Sequence, residues 1–195
     1  LVGSEMCKET AYNLLAHTLP DYGIEATFVD PFDYDAIESA IKPNTKAVQI
    51  ETLGNPNSEV VDIERIAKIA HAHNIPLVVD NTFATPYLVR PIEYGADIVV
   101  HSTSKYINGG GNSISGVIID SGNFKWDYDK FKGLAEYKKF GKFAYIAKLR
   151  NGIWRNVGGC LAPMNAFMNS VGLETLVLES VSYTHLRAHE TEADL

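Results

Sequence analysis

Cysteine is scarce in this sequence, and the two cysteines present are far apart. Cys7 and Cys160 are the only ones among 195 residues, and neither has a second ligand at metal-binding spacing. A small secreted protein stapled by disulfides would need several cysteines at short intervals. The pattern therefore favours reduced, incidental thiols in a cytosolic protein over a disulfide framework or a metal centre.

Long apolar runs and an excess of basic residues are also absent. No apolar run approaches the ~20 residues that a membrane-spanning helix needs. The formal net charge is -7 and no basic stripe interrupts it, which argues against a nucleic-acid partner. Hydrophobic residues make up 46% and charged residues 21% of the chain, as in ordinary globular proteins. We therefore expect small molecules as partners, with no role for a membrane or a nucleic acid.

Short β-branched runs recur along the chain and alternate with helical patterns. They are nearly continuously apolar, which is typical of strands in a parallel sheet covered on both faces. The predicted strands are residues 26–30, 47–53, 76–82, 97–104 and 116–120. The predicted helices are residues 9–19, 33–42, 62–74 and 165–178, with Asp62 as an N-cap. This alternation predicts an α/β domain with a mostly parallel sheet flanked by helices.

Two segments depart from this alternation of strands and helices. Residues 125–148 are rich in lysine and aromatic residues, which favours a solvated insertion or surface helices over a binding patch. Residues 179–195 lose the apolar periodicity abruptly, so we predict that they are a non-native tail. The only methionine near the start is Met6, and we expect natural sequence to precede residue 1.

Polar side chains follow three successive predicted strands. The first strand runs into Glu51 and Asn55, the second ends at Asp80, and the third leads through Ser102 and Ser104 to Lys105. In an open parallel sheet, ligands bind beyond the carboxyl ends of the strands. A partly desolvated lysine there becomes a nucleophilic amine that can hold an aldehyde cofactor such as pyridoxal phosphate.

The same cofactor accounts for the neighbouring groups. A carboxylate such as Asp80 would keep the ring nitrogen protonated, and hydroxyls before the lysine could hold the phosphate. Each element alone has an ordinary explanation: a surface lysine, a capping aspartate and a flexible glycine turn at 109–111. Their joint appearance in this order favours a cofactor site.

Three stretches carry a resemblance to a known family. They are "YNLLAHTLP", "ETLGNP" and "VVDNTFATPYLVRPIEYGADIVVHSTSKYINGGG". Over roughly residues 1–178 the chain closely resembles the pyridoxal-phosphate enzymes of cysteine and methionine metabolism, and "SGNFKW" points to their O-acetylhomoserine sulfhydrylase branch. The resemblance implies the large domain of the aspartate aminotransferase-like (type I) fold, truncated at both ends, with residues 1–178 as its partial cofactor-binding domain and the start of the linking helix.

The resemblance also implies residue roles. Lys105 would bind the cofactor covalently and act as the catalytic base, and Asp80 would pair with the pyridine nitrogen. Asn55 would approach the ring hydroxyl, with Glu51 in the same motif counted among the cofactor-binding residues. Ser102 and Ser104 would hold the phosphate. No metal site is expected, since the histidines at 71, 73 and 101 favour structural or solvated roles over metal binding.

One departure from the family pattern concerns the residue that stacks on the cofactor ring. Relatives carry a tyrosine in a "YGGT"-type loop where this chain reads "CKETA", so that Lys8 takes the tyrosine's position. Tyr12, four residues beyond, is interpreted as a packing residue. His71, His73 and His101 are interpreted as structural or solvated.

The implied reaction is replacement of the acetyl ester of O-acetyl-L-homoserine by sulfide or methanethiol, in a cytoplasmic homotetramer. Two alternatives stay open. Within the family, the activity could be that of a cystathionine synthase, a cystathionine lyase or a methionine lyase. Outside it, the chain could be an inactive truncated fragment that associates non-specifically.

Overall fold

A single sheet organises the part of the chain that the computed structural model describes. The described residues are 2–3, 11–54 and 59–193, of which 2–3 and 183–193 are described by their backbone alone. Within them the strand order is β2-β1-β3-β4-β5-β6, parallel except for β6, which runs antiparallel to β5. The strands are β1 Val2–Gly3, β2 Thr27–Phe28, β3 Val48–Glu51, β4 Leu77–Asp80, β5 Ile98–His101 and β6 Val117–Asp120.

The predicted mostly parallel sheet is confirmed. Each predicted strand contains an observed one that begins one residue later and ends up to three residues earlier, and the two-residue β1 is an addition. Although Ile119 of β6 is 37% exposed, one face of the sheet is buried across β3, β4 and β5, with Ile50 and Val99 at 1% and 2% exposure. Its alternating neighbours, such as Val78 and Val100, are only half-buried. The prediction that both faces are covered therefore holds for one face of the described chain.

Helices cover the buried face. The α-helices are α1 Ala11–Asn13, α2 Tyr34–Ala40, α3 Ile63–Ala72, α4 Thr85–Leu88, α5 Ala144–Lys148, α6 Arg155–Val157 and α7 Pro163–Ala193. The 3-10 helices are Leu19–Tyr22, Pro91–Tyr94 and Lys132–Phe143, and π-helical turns are Leu14–Thr18 and Leu149–Trp154. The hydrophobic core lies between α2, α3 and the buried face of the sheet.

Helix α3 shows how the sequence specifies these elements. The carboxylate of Asp62 accepts the backbone N–H of Arg65 at 3.0 Å, which confirms the predicted N-cap. Such a cap contributes about 1 kcal/mol to helix stability. Ile63, Ile66 and Ala70 are buried on one face, with Ile69 packed at its margin. Burial of this stripe fixes α3 against the sheet and so aligns the ends of β3 and β4.

The lysine-rich segment 125–148 lies at the surface, as predicted, but it is not wholly solvated. Most of its lysines are exposed and Lys130 and Lys148 are half-buried, whereas Trp126 and Tyr145 stack with ring centroids 5.5 Å apart and planes 8° apart. Phe124 and Phe131 pack edge-on against Trp126. The aromatic residues therefore anchor the segment while its charges remain in water.

Helix α7 is longer than the predicted helix 165–178. Its backbone continues to Ala193, and Leu176 and Ser180 are buried. That residues 179–195 are a non-native tail stays a prediction. Among the described helices, none combines the length and the apolar character needed to cross a bilayer.

Candidate active site

The carboxyl ends of three neighbouring strands bring the predicted site residues to one edge of the sheet. Glu51 on β3 lies in register with Asp80 on β4, and Asp80 lies in register with Val100 on β5. Neighbouring strands are about 4.8 Å apart. The segment that carries Lys105 begins directly after His101, the last residue of β5. Parallel pairing thus brings site residues that are up to 54 positions apart in the chain, from Glu51 to Lys105, to the same edge of the sheet.

The loop after β4 fixes the position of Asp80. This carboxylate is half-buried, and its Oδ1 accepts the backbone N–H of Thr82 at 2.9 Å. The hydroxyl of Thr82 in turn accepts the backbone N–H of Ser102 at 2.7 Å. Asp80 is therefore tied, through Thr82, to the segment that leads to Lys105.

The buried side-chain amide of Asn81 also fixes the loop after β4. Asn81 is fully buried; its Oδ1 accepts the hydroxyl proton of Thr52 at 2.7 Å, and its Nδ2 donates to the carbonyl of Val89 at 2.8 Å. Buried polar groups that are satisfied in this way rigidify their surroundings. The ends of β3 and β4 are thus fixed to each other independently of any ligand.

Lys105 lies in a compact turn of residues 102–109. Its N–H donates to the carbonyl of Ser102 at 3.3 Å, and its own carbonyl accepts the N–H of Gly109 at 3.0 Å. The lysine side chain is exposed at the sheet edge. Gly109 adopts φ = 66°, a left-handed conformation that favours glycine, and this closes the turn.

The two predicted phosphate-binding serines differ in their surroundings. Ser102 is exposed. The hydroxyl of Ser104, by contrast, donates to the carbonyl of Ser115 at 3.1 Å and accepts the Ser115 N–H at 2.9 Å. A hydroxyl has one proton, so Ser104 can donate to a phosphate only by giving up its bond to Ser115. Its predicted role stays a prediction.

The remaining predicted residues are placed as follows. Glu51 is half-buried at the end of β3. Asn55, Lys8 and Cys7 lie outside the described residues. Tyr12 packs on Phe28 with ring centroids 5.0 Å apart, in keeping with a packing role. Cys160 is exposed.

Sequence reasoning missed a group of polar residues that lie within and against the Lys105 turn. They are Thr103, Asn108, Ser115 and Asn169, which hydrogen-bond to one another. Thr103 stood inside the "HSTSK" motif, and Asn169 is a polar residue within the helical pattern of 165–178. No local pattern in the sequence marks Asn169, because its side of the helix also carries Asn165 and Ser180.

The histidines have structural environments. His71 pairs with the buried Asp97 at 2.8 Å, and His73 lies 3.4 Å from Glu38. His101 is only 4% exposed, and burial lowers its pKa from 6.5 despite the nearby charge of Asp80. These positions agree with the structural roles predicted for His71 and His101.

Buried His101 predicts a pH-dependent stability. Because its pKa is lowered in the fold, the unfolded chain binds a proton more readily, and stability is lost as pH falls below 6.5. We expect His101→Gln to be clearly destabilising at pH 7.5 and less so at pH 5.5. Urea unfolding of the full-length protein at both pH values measures this, with His73→Gln as the control. An equal difference at both pH values would contradict the assignment.

The polar groups at the carboxyl edge of the sheet are of the types that bind pyridoxal phosphate. The described residues supply an accessible amine from Lys105 and a fixed carboxylate from Asp80, with the exposed Ser102 hydroxyl between them in the chain. These are the groups needed for an aldehyde, a pyridine nitrogen and a phosphate. The sequence profile of the Cys/Met metabolism PLP-dependent enzymes matches residues 1–186. The chain belongs to this family.

Relatives of known activity place the chain within this PLP-dependent family. It is 41% identical to an O-acetyl-L-homoserine sulfhydrylase of Leptospira meyeri, covering 91% of this chain and 44% of that protein. The structure of the O-acetylhomoserine sulfhydrylase of Wolinella succinogenes is similar with a TM-score of 0.82 at 40% identity, over 91% of this chain and 51% of that one. The aspartate aminotransferase-like fold predicted through the family resemblance is thus supported by a solved relative.

A third relative contains the cofactor itself. A Campylobacter jejuni protein described as an O-acetylhomoserine (thiol)-lyase matches with a TM-score of 0.83 at 34% identity, over 91% of this chain and 46% of that one. Its structure holds a pyridoxyl-lysine monophosphate. The predicted cofactor is therefore that of the family. The chain spans about half the length of these relatives or less.

Proposed function

We propose that the full-length protein catalyses γ-replacement on O-acetyl-L-homoserine. Sulfide or methanethiol is the nucleophile, and the products are homocysteine or methionine together with acetate. The Cγ–O bond breaks and its electron pair leaves with acetate, while the sulfur lone pair forms the new Cγ–S bond. The observation that carries this proposal is the placement of Lys105 and Asp80 at the ends of adjacent parallel strands, in a chain 41% identical to a sulfhydrylase.

In this proposal, different residues of the chain have different roles in the reaction. Bound pyridoxal phosphate supplies an electron sink next to the substrate α-carbon. Lys105 holds the cofactor through its amine and, once substrate is bound, takes and returns protons at the substrate carbons. Asp80 keeps a proton on the ring nitrogen, since its negative charge favours the protonated form. Ser102, Ser104, Asn55 and Glu51 complete the proposed cofactor-binding set.

Fixed geometry supports this division. Thr82 orients the carboxylate of Asp80 and also anchors the backbone of Ser102, so the carboxylate and the Lys105 turn keep their mutual position before any ligand binds. Preorganised charges contribute more to catalysis than charges that must reorient during the reaction.

An assay of the full-length protein with pyridoxal phosphate tests the activity. We expect homocysteine and acetate in equal amounts from O-acetylhomoserine and sulfide, and only slow release of a 2-oxo acid and ammonia from methionine or cystathionine alone. Faster 2-oxo acid release would assign the protein to the lyases of the same family. Absence of all three reactions would overturn the proposed function, and the same assay on residues 1–195 alone tests the inactive-fragment alternative.

The assembly and location of the protein are further parts of the proposal. We infer a cytoplasmic homotetramer, by analogy with the family and from the scarcity of cysteine. Size-exclusion chromatography with light scattering distinguishes a defined tetramer from the heterogeneous association expected of an incomplete fragment.

A further inference from the structure

A buried polar network joins helix α7 to the Lys105 turn. Asn169 Nδ2 donates to the hydroxyl of Thr103 at 3.2 Å and to that of Ser115 at 2.9 Å. Its Oδ1 accepts from Asn108 Nδ2 at 3.1 Å. The network closes with a bond of 2.6 Å from the Thr103 hydroxyl to that of Ser115. One amide therefore contacts both ends of the turn, at Thr103 and at Asn108.

The network is shielded from water. Thr103, Asn108 and Asn169 are each less than a tenth exposed, and Ser115 is half-buried. Hydrogen bonds are stronger in such surroundings, and a partner left unsatisfied there is costly. The asparagine amide suits the position because it offers two protons and an acceptor in one plane.

Close backbone packing fixes α7 in the same place. Gly172, one helical turn after Asn169, faces the carbonyls of Ile107 and Asn108, and an added Cβ would lie 2.5 Å from the Ile107 oxygen. Further along α7, the carboxyl group of Glu179 occupies the space that a Cβ at Gly109 would need. The helix thus contacts the turn at three successive points along its length.

We infer that Asn169 is a positioning residue for Lys105. It acts through Thr103 and Asn108, which flank Lys105 in the turn, and holds the turn in the form that presents the lysine amine to the cofactor. The inference rests on the proposed function, because it assumes that Lys105 holds pyridoxal phosphate. The new element is that Asn169, on α7 and outside the cofactor-binding motif, controls the affinity with which Lys105 binds pyridoxal phosphate.

Cofactor binding by variants of the full-length protein tests this inference. Asn169→Leu keeps the branched shape of the side chain and removes its hydrogen bonds. We expect the Kd for pyridoxal phosphate to rise by about tenfold or more, as for the loss of a buried hydrogen bond. The pH midpoint of the bound cofactor's absorbance should move by at least about half a unit, because the amine is displaced. Ser170→Ala, the neighbouring exposed residue on α7, should change neither value.

A double-mutant cycle separates positioning from general destabilisation. Thr103→Val removes the other end of the same bond, so its effect on the Kd should not add to that of Asn169→Leu. Thr103→Val alone carries the test if Asn169→Leu lowers the Tm of the cofactor-free protein too far for titration. An unchanged Kd and pH midpoint in these variants, or effects that simply add, would overturn the inference. Failure of the parent protein to bind pyridoxal phosphate at Lys105 would instead overturn the proposed function.

Discussion

Lys105→Ala is expected to abolish turnover while leaving the fold intact. The side chain is exposed, and the bonds that shape its turn are made by its backbone. Alanine keeps those bonds, so the free energy of unfolding should change by no more than about 0.5 kcal/mol. The rate should fall by about 10⁴-fold or more, because one amine both holds the cofactor and moves the protons.

Steady-state kinetics and urea unfolding of the full-length protein measure the two effects. Lys68→Ala is the matched control, since Lys68 is exposed and pairs with Glu64 on the surface of α3. It should leave the rate unchanged. Activity of Lys105→Ala within tenfold of the parent would remove Lys105 from the mechanism.

Asp80→Asn is expected to lower the rate by about 10²–10³-fold. Loss of one preorganised electrostatic group at an active site typically costs ~2.7–4 kcal/mol of transition-state stabilisation. Asparagine retains an oxygen that can accept the N–H of Thr82, so the loop that connects to Ser102 should keep its conformation. The loss would therefore arise from the missing charge at the ring nitrogen.

The control for Asp80 makes the same chemical change elsewhere. Asp62→Asn exchanges a carboxylate for an amide at the N-terminus of α3, where asparagine caps as well as aspartate. Its rate should match that of the parent. If Asp80→Asn also stayed within twofold, the carboxylate would have no part in protonating the cofactor.

The sheet and the order of its site residues could be predicted because both depend on local patterns. Branched apolar runs mark β3, β4 and β5, and parallel pairing then brings Asp80 and the Lys105 turn to the same edge. The N-cap at Asp62 followed from residue type and position alone. The two-residue strand β1 is too short to carry any such pattern.

The hydrogen bonds that fix the Lys105 turn could not be predicted from local patterns. Asn169 and Thr103 are 66 residues apart, and they meet only because α7 packs over the turn. Likewise, the sequence motif suggests that the Ser104 hydroxyl is available to a ligand, whereas in the structure it forms two hydrogen bonds to the backbone of Ser115. Such contacts depend on tertiary packing, which one-dimensional periodicity does not contain.

The central claim is that Lys105 holds pyridoxal phosphate. The full-length protein would be mixed with the cofactor, reduced with borohydride, digested and mapped by peptide mass spectrometry. We predict one phosphopyridoxyl group per chain, on Lys105 alone. Labelling that is absent, or scattered over the exposed lysines of residues 125–148, would contradict the account.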